Sequence, residues 1–428
     1  MIPTIIITAV TCIGMIVCVI TNAEIKKLHI PLYWLVTLTG ALILLISGLL
    51  PWQTAFNALT ANTSVNPLKI LVLFLSMTML SVFLDEAGFF RYLAGVTLKK
   101  GGNSQIKLFL LLFITVSVLT VFTSNDIIIL TFTPFICYFC KHAKIDPLPF
   151  LIEEFVCANT FSMALMIGNP TNIYLALFKN IGFTEYLTVM WLPALVGGLV
   201  AFLIMFAIFY RKLKQPISPS FEHFSIKKPM VIIGLVHLVL CTVLLALADT
   251  IGVEMWIIST AFALSLFAVV CVYKFFRREH FVEVTHTLKR APWGLIPFML
   301  SMFIIVSALD YQGSTALFAS FLSFGEPVLT YGVASTLACN IVNNIPMSVL
   351  FGSLIQAGGG SVAAVYACII GSNIGAFLTP IGALAGIMWS NILKAQKVRI
   401  GYLKFCLYGS VIAVPTLLAS LGALMLIL

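Results

Sequence analysis

Four apolar stretches in this chain are too long to cross a membrane as straight helices, and each is interrupted by polar residues, glycine or proline. They run Leu108–Cys140, Leu148–Phe178, Leu329–Gln356 and Val362–Lys394. At about 1.5 Å per residue they would extend about 40 to 50 Å, against a hydrocarbon core of about 30 Å. The interruptions are Ser124-Asn125-Asp126, Gly168-Asn169-Pro170-Thr171-Asn172, Asn340 with Asn343-Asn344-Ile345-Pro346, and Gly371-Ser372-Asn373 followed by Thr379-Pro380-Ile381-Gly382. Backbone released from helical hydrogen bonding at membrane depth is tolerated only where protein buries it or where it lines a cavity. The four breaks are therefore expected to converge on one.

The rest of the chain is as apolar as these stretches. Sixty-one per cent of the 428 residues are hydrophobic and nine per cent charged, where a soluble domain carries about a quarter charged residues. Uninterrupted spans read as Ile2–Thr21, Leu28–Leu50, Leu68–Leu84, Leu187–Tyr210, Met230–Leu247, Val253–Tyr273, Trp293–Leu309 and Tyr402–Leu428. The first lacks a basic leader segment and is read as a retained helix. No sizeable soluble domain fits between the spans.

The order of elements repeats: three spans, a short segment, one long stretch with a polar tip, one interrupted stretch and a last span. The first three spans of the two copies start at Ile2 and Met230, Leu28 and Val253, and Leu68 and Trp293, a near-constant offset. We read an all-α polytopic membrane protein of two inverted repeats, each with five crossings, one of them discontinuous, and a re-entrant helical hairpin. The boundaries are 1–211 for the first repeat (hairpin 107–140, broken helix 148–178), 212–229 for a cytoplasmic linker, and 230–428 for the second (hairpin 328–357, broken helix 361–395). Five crossings per copy invert the second copy. With both termini outside, all of the 24 Lys and Arg residues except Lys69 and Lys179 fall on the cytoplasmic side, as the positive-inside rule requires. The net charge of +9 is thereby topological, and no nucleic-acid partner is implied.

Asp126 is the acid placed most clearly at a hairpin tip, and an ionisable group at membrane depth is a functional candidate by default. It serves as a cation ligand or proton carrier, or alternatively as a helix cap. Asn125, Asn169, Thr171, Asn172, Asn343, Asn344, Asn373 and Thr379 supply amide and hydroxyl oxygens suited to a sodium-like cation or a hydroxylated solute. Gly168, Gly371, Gly375, Gly382, Pro170, Pro346 and Pro380 permit unwound backbone. Sodium ligands are expected among Asn125, Asp126, Asn169, Asn343 and Asn373. Glu153 and Glu154 are read as residues near the cytoplasmic interface, a proton relay being the alternative, and Asp85, Glu86 and Arg91 as an interfacial ion pair. Cys137 and Cys140 form a C-x-x-C without a redox context. No P-loop, H-E-x-x-H or nucleophile elbow is present, so the chain is not read as an enzyme and the energy source is an ion gradient or a partner subunit.

Several motifs occur together and in order: L-D-E-A-G-F-F at Leu84–Phe90, S-N-D at Ser124–Asp126 with Thr133-Pro134, R-A-P-W at Arg290–Trp293, N-N-I-P at Asn343–Pro346, and L-T-P-I-G-A-L-A at Leu378–Ala385 with Trp389. In these the chain resembles the ion transporter superfamily, most closely its arsenite/antimonite efflux permeases, whereas G-N-P-T-N at Gly168–Asn172 resembles the carboxylate and other anion carriers. The resemblance implies an elevator-like transport domain, and a homodimer. It places Ser124, Asn125, Asp126, Gly168, Asn169, Pro170, Thr171 and Asn172 in one half-site, and Asn343, Asn344, Pro346, Ser372, Asn373, Thr379 and Pro380 in the other. No cofactor is implied beyond sodium or protons as coupling ions. The expected function is secondary active transport in the cell inner membrane, of arsenite or antimonite against protons, or alternatively of a carboxylate or inorganic anion with sodium or protons, or sodium/proton antiport. The partners are then the small inorganic or carboxylate solute and membrane lipid; an ATPase subunit docked on the basic loops is left open.

Overall fold

The computed structural model describes residues 1–21, 23–25, 30–61, 66–217, 226–323 and 325–428. Lys26, Lys27, Leu28 and residues 218–225 of the expected linker, Pro219 included, lie outside the described residues. Among the described residues the fold is α-helical, apart from a two-residue antiparallel pairing of Glu24–Ile25 with Ile30–Pro31.

The first half contains α1 (Ile2–Thr21), α2 (Leu32–Ile46), α3 (Trp52–Thr60), α4 (Pro67–Glu86), α5 (Phe89–Gly101), α6 (Gln105–Phe122), α7 (Asn125–Ala143), α8 (Leu148–Phe161), α9 (Pro170–Phe178) and α10 (Phe183–Leu213). The second contains α11 (Lys228–Ala246), α12 (Ala248–Ile251), α13 (Met255–Arg277), α14 (Val282–Arg290), α15 (Leu295–Tyr311), α16 (Ser314–Leu322), α17 (Pro327–Val342), α18 (Asn344–Ala357), α19 (Val362–Gly375), α20 (Leu384–Ala395) and α21 (Tyr402–Ile427). Helix starts follow local chemistry. Asn66 accepts from the N–H groups of Leu68 and Lys69 at 2.8 and 3.2 Å, with Pro67 at the first helical position, where its missing N–H costs nothing. Asn169 with Pro170 repeats the device at α9. Eight helices among the described residues are long and apolar enough to cross a membrane.

Two of the long stretches break where expected: α6 gives way to α7 at Thr123-Ser124, and α17 to α18 at Asn343. In the stretch from Leu148 the interruption covers Ser162 to Asn169, with a short 3-10 turn at Met166–Gly168. The last stretch departs from expectation, because Gly371, Ser372 and Asn373 remain inside α19 and the chain unwinds only at Ala376 to Ala383. The reason is packing. A Cβ on Gly371 or Gly375 would run into Ser335, Thr336 and Cys339 of α17, so these glycines bring two helices close together, the small-residue contact that drives association in lipid.

The helices fall into two packing groups. One comprises α1, α2, α4, α11, α13 and α15, joined through α2 against α15 and α4 against α11 and α13. The other is built from α6 to α10 and α17 to α21, where α10 packs on α21, α17 on α19, α9 on α18 and α7 on α20.

Two further expectations change. Arg91 is exposed, and the partner of Asp85 and Glu86 is Arg290, whose Nη2 lies 2.8 Å from Asp85 Oδ2 while Nη1 contacts Glu86. Sequence-adjacent charge lost to a residue some 200 positions away because α14 lies against the end of α4. Glu153 and Glu154 are completely buried, because α6, α7 and α10 cover α8 on several sides. Arg290 also shares a cavity with Asp126, so the candidate site has a cation nearby, although one committed to two acids.

Candidate functional site

The broken segments of the two halves interlock. Asn373 Nδ2 donates to Asn172 Oδ1 at 2.7 Å and to Ile369 O at 2.8 Å, while its Oδ1 accepts from Ser162 Oγ at 2.8 Å and Asn169 Nδ2 at 3.3 Å. Ser372 Oγ donates to Thr171 Oγ1 at 3.1 Å. Asn169 Oδ1 accepts from Thr171 N–H at 3.2 Å and Thr171 O–H at 3.1 Å, and Asn172 Nδ2 reaches Ser162 O at 2.8 Å. All these residues are buried. Gly168 completes the turn, since a Cβ there would strike the backbone of Ser162, and Pro170 opens α9.

The breaks between α6 and α7 and between α17 and α18, expected as hairpin tips, are arranged differently. Asn125 Nδ2 donates to Asn159 Oδ1 at 3.1 Å and its Oδ1 accepts from Asp126 N–H at 3.0 Å, but the buried Ser124 Oγ has no partner. Asn343 Nδ2 donates to Ile381 O at 3.0 Å, whereas Asn343 Oδ1 and Asn344 Oδ1 are buried without a partner. Asn343 also holds φ 73° and ψ 156°, a region almost reserved for glycine that costs about 1 to 3 kcal/mol. Pro346 is buried in the first turn of α18. Thr379 Oγ1 donates to Asn340 Oδ1 at 2.6 Å, and Asn340 Nδ2 in turn donates to Gly375 O at 2.9 Å; Pro380 lines a separate cavity with Trp389 and Tyr402.

Asp126 is half-buried and faces a cavity of about 460 Å³ between α1, α2, α4, α7, α14, α15 and α20, where Tyr33, Arg290, Trp293 and Asn391 also point. The five residues expected as sodium ligands are thus distributed: Asn169 and Asn373 bond one another, Asn125 bonds Asn159, Asn343 bonds Ile381, and Asp126 faces the cavity. No cluster of three or more His, Cys, Asp or Glu that could hold a metal ion occurs among the described residues.

Asn159 went unremarked in the sequence. It stands eleven residues into α8, as Asn373 stands eleven residues into α19, and aligning the starts of the two interrupted stretches, Leu148 and Val362, would have found it. Nothing local in the sequence marks Tyr33, Asn391 or Arg290 as cavity residues, because three different elements carry them to Asp126.

The family model described as citrate transporter (CitMHS) matches residues 15–364. Arsenical pump membrane protein of Escherichia coli is 29% identical over 423 residues, covering 92% of this chain and 93% of its own. Putative arsenical pump membrane protein of Bacillus subtilis is 25% identical over 422 residues, covering 90% and 92%. The solved structure of the Alcanivorax borkumensis YdaH transporter superposes with a TM-score of 0.58 at 13% identity, covering 99% of this chain and 98% of that one, a likeness of fold. With apolar spans, broken helices and a family match over most of its length, the chain is a polytopic membrane transporter and belongs to the citrate transporter (CitMHS) family.

Proposed function

We propose that this protein is an arsenite/antimonite efflux permease of the inner membrane that exchanges the neutral metalloid hydroxide for protons. The observation that carries the reading is the nearly full-length likeness to proteins named as arsenical pump membrane proteins. The site chemistry agrees with it. The unpartnered groups at the tips are amide and hydroxyl oxygens, suited to a solute rich in O–H groups, and Arg290, the cation that lines the cavity among the described residues, is held by Asp85 and Glu86. The cavity joins Asp126 to Arg290, a residue on the cytoplasmic side in the positive-inside reading, so it offers a cytoplasmic solute a route to the first tip, with Asp126 meeting the counter-ion.

The two packing groups support an elevator movement, the hairpins and broken helices travelling against the six spans. The repeats 1–211 and 230–428, their inverted relation, external termini and a dimeric assembly belong to the same proposal. Arsenite tolerance and accumulation in an efflux-deficient host test it: expression should raise tolerance and lower accumulation, and no change in either contradicts it.

A sodium- or proton-coupled carboxylate carrier is the second reading, favoured by the citrate transporter family match and by Arg290 in the cavity wall. Sodium-dependent uptake of labelled citrate into proteoliposomes, with no arsenite flux, would favour it over the first.

A further inference from the structure

Glu153 and Glu154 have no task in the exchange just described, yet both are 0% exposed on α8. Glu153 has no hydrogen-bond partner at either oxygen and Glu154 none at Oε2. Glu154 Oε1 accepts from Thr133 Oγ1 of α7 at 2.9 Å. Trp389 of α20, 2% exposed, brings its indole Nε1 beside the Glu154 carboxyl without hydrogen-bond geometry. A buried donor and a buried acceptor from different elements thus stand together unjoined.

No salt bridge reaches either acid among the described residues. Cys137 of α7 and Cys157 of α8 itself are the titratable neighbours. Lys212 of α10 is engaged by Asp146, which Lys404 of α21 also faces. A bare carboxylate in such surroundings is expensive. A hard cation would need several oxygen ligands, whereas Phe155, Trp389 and Phe405 pack as a ring cluster on this side. A proton needs one oxygen.

We propose that Glu154 is a proton-binding site, separate from Asp126, that loads and releases a proton in each transport cycle, with Thr133 O–H and Trp389 N–H as the donors that hold its ionised form. On release, the carboxyl O–H bond breaks, the proton leaves to water, and the Trp389 N–H turns onto Oε2 in a charge-assisted bond. Reprotonation frees the indole. Glu153 has no comparable donor and keeps its proton. Thr133 belongs to the return arm of the first hairpin and Trp389 to the second broken helix, so the charge of Glu154 acts on both halves of the transport group. The cycle rests on the proton-exchange reading; the proton site does not.

The test uses the full chain in proteoliposomes. Infrared difference spectra between acidic and alkaline buffer should show the carbonyl band of a protonated carboxyl that is missing in Glu154→Gln, a neutral isostere expected to fold, and present in Glu153→Gln and Asp126→Asn. Trp389→Phe should move the midpoint of that band. An unchanged band in Glu154→Gln, or its loss in Glu153→Gln instead, overturns the assignment, and an unmoved midpoint in Trp389→Phe overturns the role of the indole. In parallel, Glu154→Gln should lose about tenfold or more of pH-gradient-driven arsenite flux while keeping arsenite counterflow at equal pH; retained pH-driven flux overturns the coupling role. Absence of any arsenite flux in the unmodified protein would reject the substrate reading, and the infrared bands would still decide the proton site.

Discussion

The interlocked crossing of the broken helices and the two hairpin tips are both rich in asparagine, yet they handle hydrogen bonds in opposite ways. At the crossing, Asn169, Thr171, Asn172, Ser372 and Asn373 bond one another and neighbouring carbonyls. At the tips, Ser124 Oγ, Asn343 Oδ1 and Asn344 Oδ1 are buried and unpartnered. A buried polar atom without a partner costs about 1 to 3 kcal/mol, and such a cost is found where a ligand later supplies the partner. The crossing therefore bonds the two halves to each other, and in the transport reading proposed above the tips are the surfaces that meet the solute.

Removing the crossing should have the largest effect on stability. Asn373→Ala takes away a side chain that donates two and accepts two hydrogen bonds and leaves its partners buried, so a loss of about 3 kcal/mol or more is expected, read by thermal unfolding in detergent. A variant as stable as the parent would mean that the crossing is not structural. Gly168→Ala places a methyl against the Ser162 backbone and should lower the melting temperature by a similar route.

A smaller effect is expected at the ion cluster below the first hairpin. Asp85 is buried, accepts from Thr131 Oγ1 at 2.8 Å and pairs with Arg290. Asp85→Ala should cost about 2 kcal/mol by leaving its hydrogen-bond partners without an acceptor, and Asp85→Asn, which keeps an acceptor, should cost less. Equal losses in the two variants would show that the carboxylate charge, not hydrogen bonding, holds this contact.

The smallest effect belongs to the loop between α7 and α8. Burial pushes the Asp146 carboxyl up, but hydrogen bonds from Lys212 and Leu148 N–H and the charges of Lys212 and Lys404 outweigh it, holding the carboxyl below its ordinary range. A depressed folded-state value gives stability that is present above the unfolded pKa and disappears as pH falls through the folded one. Both Asp146 and Lys212 are nearly half exposed, so Asp146→Asn should cost about 0.5 kcal/mol near neutral pH, less at high salt, and nothing in strong acid.

The breaks at Thr123-Ser124 and Asn343 were legible in the sequence because polar residues interrupt apolar stretches, such as Leu108–Cys140, that are longer than one straight crossing needs. The function of each glycine was not. Gly371 looked like a point of unwinding beside Ser372 and Asn373, but the space it clears belongs to α17, a neighbour that periodicity does not reveal. Glu153 and Glu154 read as interfacial because charge belongs at the boundary unless something covers it, and three helices cover it. Arg290 displaced Arg91 as the partner of Asp85 and Glu86 for a similar reason: proximity in space was set by the meeting of α4 and α14. Chemistry at a break can be read from composition, but its partners depend on packing.

Arsenite counterflow by the Asn344→Ala protein in proteoliposomes, measured beside its thermal stability, tests the division between crossing and tips most directly. Asn344 Oδ1 has no protein partner, so the variant should unfold within about 1 kcal/mol of the parent and lose most of its counterflow. Full counterflow at unchanged stability, or a loss of stability as large as that of Asn373→Ala, would contradict it.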